Sequence, residues 1–386
     1  MKFLRQFNWI LFFAMLALVA LGTMTIWSAG HAREAIFHGM WKNNLSAALV
    51  GLVFYFILAK IDYRRLLDLC AWPLFFAALA MLVAVLFLGS TVYGGRRWLW
   101  FFQPSEISKI CILSLLASFL GASARDLSFR RFLVAAALMG IPILLILAEP
   151  DLGTALTLVP AIVLMMLASG VWRKGLLVLL AVGAILSLAV LGAVYEAERP
   201  GVPPARRAAI LKLLPLRDHQ VKRVKVFLFP DEDQLGSGYN LRQAKIAIGS
   251  GGLSGKGFGR GETNHLKYLP PAVSMNDFIF CVYAEETGYL GTLALLVLFA
   301  LVVFPCLWVA LLARDLRGRL LALGVAALIF AHVYINIAMS IGLLPITGLP
   351  LPFISSGRTF LVTVMCALGL VQSVSLHRGL PSEEAA

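Results

Sequence analysis

Leu269-Pro270-Pro271-Ala272-Val273-Ser274-Met275-Asn276-Asp277-Phe278-Ile279-Phe280 is where a long polar stretch ends and an apolar run, 278–312, begins. A run of about 17 to 25 apolar residues covers the roughly 30 Å of hydrocarbon in a bilayer as a helix, and only helices or closed barrels satisfy their backbone groups there. Moving outward from this junction, nine further runs lie near 8–28, 44–60, 70–90, 105–122, 131–149, 152–170, 174–195, 319–343 and 359–376. Composition agrees: 60% hydrophobic residues, 14% charged residues and a mean hydropathy of +0.87 exclude an ordinary soluble domain. The expected fold is an all-α polytopic integral membrane protein. It has ten transmembrane helices in a single domain over 1–386, with one long extracytoplasmic loop, 196–276, between spans 7 and 8.

Charge sets the expected orientation. Lys2, Arg5, Lys60, Arg64, Arg65, Arg125, Arg130, Arg131, Arg173, Lys174, Arg314, Arg317, Arg319 and Arg378 fall on one side, against Arg33, Lys42, Arg96, Arg97 and Arg358 in the short loops opposite. Positive residues gather in cytoplasmic loops, so both termini are expected inside and the long loop outside, in the cytoplasmic (inner) membrane. The first run is long and lacks a small-residue cleavage site, so no cleaved signal peptide is expected. The net charge of +13 belongs to these loops; no nucleic-acid-binding motif accompanies it. Cys70, Cys111, Cys281, Cys306 and Cys366 are scattered through apolar runs and make neither a disulfide framework nor a cysteine metal site.

Within the long loop, Asn240 to Ile248 reads as a short amphipathic helix stopped by Gly249. Lys222-Arg223-Val224-Lys225-Val226-Phe227 interleaves charge with apolar residues, as an interface-lying segment would. Gly251, Gly252, Gly255, Gly257, Gly259 and Gly261 follow. They do not form a phosphate loop, because Ser250 and Gly257 stand where glycine and Ser/Thr are needed around Gly255-Lys256. Nor do they form a dinucleotide fingerprint, because Arg260 replaces its last glycine. No nucleotide is expected; the glycines are expected to allow tight turns and close approach to a ligand or the bilayer.

Ionisable residues in or beside a membrane are costly and are functional candidates for that reason. Glu106 and Lys109 are spaced to pair on one helix face. Arg97 precedes Trp98 and Trp100 and can snorkel to the interface. Glu149 ends the fifth run, and Asp151 can cap the sixth. Asp277 stands equally as a helix cap, with Ser274 and Asn276 nearby, or as a base held between water and hydrocarbon. All of these fall on the outer side, which suggests one site.

Several segments together resemble the SEDS family (shape, elongation, division, sporulation). They are Gly94-Gly95-Arg96-Arg97-Trp98, Gln103-Pro104-Ser105-Glu106-Ile107-Ser108-Lys109, Glu149-Pro150-Asp151-Leu152-Gly153-Thr154, Gly238 to Leu253, His265 to Pro270, Asn276 to Phe280 and Gly342 to Ser355, in order along the chain. The short N-terminus and Gly348-Leu349-Pro350-Leu351-Pro352-Phe353 are more similar to the elongation (RodA) branch than to the division (FtsW) branch.

The resemblance implies a peptidoglycan glycosyltransferase that polymerises lipid II, with Asp277 as general base. It implies that Arg97, Lys109, Glu106, Asp151, Lys245, Lys267 and Ser355 contact the polyprenyl diphosphate-linked substrate. It also implies a divalent cation, Mg or Mn, for which Glu106, Glu149 and Asp151 are oxygen candidates. The implied partners are a class B penicillin-binding protein with transpeptidase activity and other elongasome membrane proteins. The chain departs from the family at Met275-Asn276, at Pro271, and at Ser356-Gly357-Arg358. A flippase for the lipid-linked precursor and a non-catalytic scaffold are the competing expectations.

Overall fold

The computed structural model describes residues 6–31, 38–92, 95–100, 102–122, 128–149, 151–199, 201–214, 218–233, 236–265 and 268–378. Seven long helices come first: α1 Trp9–His31, α2 Met40–Lys60, α3 Tyr63–Leu88, α4 Pro104–Gly121, α5 Phe129–Ala148, α6 Leu152–Ser169 and α7 Arg173–Glu198. The segment between α7 and the eighth span holds α8 Pro204–Leu213, α9 Asp218–Leu228, α10 Ser237–Ser250, α11 Glu262–His265 and α12 Pro271–Ser274. The chain ends in α13 Ile279–Leu312, α14 Leu316–Ser340 and α15 Arg358–His377. Ten of these, α1–α7 and α13–α15, are long and apolar enough to cross a membrane, and the protein is a multi-pass membrane protein.

Local chemistry starts the spans. Asp62, Ser128, Asp151 and Asp315 each accept a backbone N–H in the first turn of α3, α5, α6 and α14, satisfying one of the donors a helix start leaves free. Pro104 opens α4, where its missing N–H is no loss. α4, α14 and α15 are buried along most of their length and form the centre of the bundle, whereas α7 is almost wholly exposed at its edge. Small residues let the backbones close up. At Gly369 of α15 a side chain would strike the Tyr55 carbonyl of α2. At Gly22 of α1 one would strike the carbonyl of Phe353, a residue with φ of +65° in the α14–α15 loop.

The structure corrects four expectations. A two-stranded antiparallel hairpin, β1 Ser90–Val92 and β2 Gly95–Trp98, interrupts the otherwise helical chain. The third span begins at Tyr63 rather than at 70, because Asp62 caps it. The amphipathic helix runs through Gly249 to Ser250. The eighth span is a 34-residue helix broken at Gly288, whose φ of 68° and ψ of −164° are outside helical space.

That break explains the glycine run. The backbone N–H groups of Lys256 and Gly257 donate to Glu285 O and Glu286 O, and those of Tyr289 and Leu290 donate to Gly252 O and Leu253 O. The loop thus takes up hydrogen-bonding groups that the broken helix frees. A Cβ at Gly251 or Gly255 would lie 2.3 Å from Ala284 O or 2.2 Å from Glu286 O, so these glycines serve approach to α13 rather than to a ligand or the bilayer. Lys256 Nζ, 2.8 Å from Glu285 Oε1, fastens the same contact.

Candidate active site

Asp277 occupies the turn between α12 and α13. Phe278, not Asp277, is the N-cap of α13, and no side chain caps it. The Asp277 carboxylate is therefore not spent on the helix start. Its backbone is held from two directions. Asn336 Nδ2 of α14 donates to Asp277 O at 2.9 Å and to Leu349 O at 2.6 Å. From the α14–α15 loop, Ser355 Oγ donates to Asn276 O at 2.7 Å while accepting from the Leu351 N–H at 2.8 Å. Ser356 Oγ donates to Asn276 Oδ1 at 2.7 Å. Two of the positions that depart from the family pattern, Asn276 and Ser356, thus pair with each other and keep the turn in place.

The surroundings of the carboxylate are charged. Gly348 has φ of +71°, and a Cβ there would lie 3.3 Å from Asp277 Oδ2 and 3.4 Å from Arg223 Nη2. A side chain there would crowd both. Arg223, on α9, donates from Nη1 to Thr347 O at 2.8 Å. Arg97, on β2, lies 3.9 Å from Asp151 Oδ1. Burial pushes the Asp277 carboxyl up from the usual range to about 6, with Arg223 and then Arg97 pulling the other way. Burial lowers the Arg223 guanidinium and nearby Arg97 lowers it further, against Asp277 and Asp151. Two arginines and two aspartates thus lie close together.

Asp151 accepts from Thr154 N at 3.2 Å, Thr154 Oγ1 at 2.9 Å, Gln103 Nε2 at 3.0 Å and Ser105 Oγ at 3.3 Å. The expected Glu106–Lys109 pair forms at 2.7 Å. Lys109 Nζ also lies 3.0 Å from His332 Nε2 and 5.0 Å from the Phe360 ring centroid. An ammonium only donates, so His332 accepts there.

Glu149 is fully buried, neither carboxyl oxygen has a hydrogen-bond partner, and burial followed by Asp151 raises it to about 8 against the pull of Arg97. Glu106, Glu149 and Asp151 do not fit a divalent-cation site as arranged. Glu106 is tied to Lys109, Asp151 is hydrogen-bonded, and no group of three or more His, Cys, Asp and Glu among the described residues could hold a metal ion.

Of the remaining candidates, Ser355 is buried and supports the Asp277 turn. Lys245 is exposed on α10, with its ammonium against Gly342. Lys267 lies outside the described residues. The residue that sequence reading left out of the site is Arg223. Its signal was the charged and apolar interleaving of 222–227, which does not say which cation turns inward.

Residues 8–379 match the protein family FTSW_RODA_SPOVE, described as a cell cycle protein. The chain belongs to this family, the SEDS family. It is 35% identical over 374 residues to the peptidoglycan glycosyltransferase MrdB of Escherichia coli K12, covering 96% of this chain and 93% of that one. The crystal structure of Thermus thermophilus RodA, a rod shape determining protein, superposes with a TM-score of 0.68 at 28% identity, over 97% of this chain and 98% of that one. A chain of a peptidoglycan synthase complex, solved for the structural coordination of polymerization and crosslinking, gives a TM-score of 0.75 at 29% identity, over 97% and 99%. In this SEDS protein the α12–α13 turn, the β hairpin, α9 and the α14–α15 loop bring the charged groups together.

Proposed function

We propose that this SEDS protein is a peptidoglycan glycosyltransferase that polymerises lipid II on the outer face of the cytoplasmic membrane during cell elongation, with Asp277 as general base. The observation that carries the role of Asp277 is a partly buried carboxylate that caps no helix and lies with Arg223 against the bare backbone of Gly348. Its pKa of about 6 leaves it ionised near neutral pH yet able to take a proton. The C4 hydroxyl of the acceptor sugar gives its proton to Asp277 as its oxygen attacks the anomeric carbon of the donor. The new C–O bond forms while the bond to the diphosphate breaks, and the electron pair leaves with the diphosphate. A single displacement inverts the anomeric centre and needs no carboxylate nucleophile, by the logic of inverting glycosidases.

Arg97, with its planar fork, meets the departing diphosphate, and Lys109 adds positive charge from below. The long outer segment faces away from the cytoplasm, and both termini are cytoplasmic. Similarity to a complex that coordinates polymerization with crosslinking supports a class B penicillin-binding protein as partner, alongside other elongasome proteins.

The test is polymer formation by purified protein with its transpeptidase partner, lipid II and magnesium, comparing wild type with Asp277→Asn. Polymer from wild type alone is expected. Equal polymer from both overturns the role of Asp277, and none from either, in folded complex, favours a flippase or a scaffold. A chelator arm reads whether a divalent cation is needed.

A further inference from the structure

Arg223 and Lys225 are two residues apart on α9, about 200° around the helix, and so project to opposite sides. On one side, Arg223 donates to Thr347 O at 2.8 Å and packs with Asp277 against Gly348. On the far side, Lys225 Nζ pairs with Glu198 Oε2 at 2.8 Å and with Glu232 Oε2 at 3.0 Å. Glu198 is the last residue of α7, and Arg207 of α8 holds its other oxygen at 2.7 Å. α9 therefore bridges the foot of the most exposed span and the catalytic carboxylate.

We propose that Arg223 is a positioning residue of the glycosyl transfer: carried by α9, it is the counter-ion of Asp277, and the Glu198–Lys225 pair sets its reach. The inference rests on Asp277 acting as the base. The charged groups facing Asp277 are Arg223 from α9 and Arg97 from β2, with Asp151 acting on both arginines and Glu149 behind them. α14 presents an uncharged amide, Asn336, and the α14–α15 loop presents Gly348. Arg97 is already engaged with Asp151, so Arg223 is the cation whose loss Asp277 feels most. A neighbouring cation lowers a carboxyl pKa by about 1 to 3 units, so removing it makes the base hold its proton to higher pH.

The test is the pH dependence of polymer formation by the purified complex. In Arg223→Met the acid limb is expected to move upward by about 1 pH unit or more, with the rate approaching wild type at high pH. Arg223→Lys is expected to restore most of the shift. Glu198→Gln, which leaves Arg223 in place, is expected to move the limb in the same direction by less, and it keeps the test available if Arg223→Met does not fold. A uniform loss at every pH that lysine does not rescue, or an unmoved acid limb in Arg223→Met, overturns the proposal. No polymer from wild type would instead sink the glycosyltransferase reading, so the two failures are distinguishable.

Discussion

Asp277 is held where its charge is disfavoured. Its carboxyl is raised to about 6, above the unfolded value near 3.9, so folding favours the protonated form. The contribution of this group to stability is complete below about pH 4 and is lost as pH rises through 6. Asp277→Asn is therefore expected to raise the thermal midpoint in detergent at pH 7.5, with the gain vanishing near pH 4. The same substitution is expected to cut polymerisation by about two to four orders of magnitude. Wild-type activity should rise with pH through about 6.

Glu149, raised to about 8, follows the same sign at a higher window. Glu149→Gln should match wild-type stability near pH 4, exceed it increasingly as pH rises to about 8, and hold that gain above, read in a thermal melt. Both candidates were legible as acids at the membrane edge. What the chain could not show was how far burial raises them, because the burying groups come from segments distant in sequence.

The break in α13 is the element that sequence periodicity could not reveal. Residues 278–312 are mostly apolar and carry only two charges, Glu285 and Glu286, and an apolar run looks alike whether it is straight or broken. The glycines 251–261 looked like loop residues free to meet a ligand, yet Gly251, Gly252, Gly255 and Gly257 meet the backbone of α13 itself. Gly255 has φ of +76° and no space for a Cβ beside Glu286 O. Gly255→Ala is expected to destabilise the protein by more than about 1 kcal/mol, read as a lowered midpoint in thermal unfolding, whereas Gly249, with nothing near its Cβ position, should tolerate alanine. The spans were readable because hydrocarbon demands length and apolarity; the docking was not, because it is made by backbone groups that every residue carries.

At the scale of the molecule, ten spans were countable from hydropathy and all ten are present. The site was only half readable: carboxylates and Arg97 lie near recognisable junctions, whereas Arg223 meets Thr347 across 124 positions of sequence. Orientation has its own test. Leu213→Cys, on an exposed residue of α8, is expected to react with a membrane-impermeant maleimide in intact spheroplasts, while a tag at the N-terminus stays protected. One early contact also bears on how the enzyme is made. The carbonyl of Phe353, in the loop that supports Asp277, rests against Gly22 of the first helix. A ribosome delivers Gly22 long before Phe353. The nascent protein therefore carries Asp277 into the membrane before the loop that holds its turn has been made, and that loop meets its first-helix partner only once nearly the whole chain has been threaded.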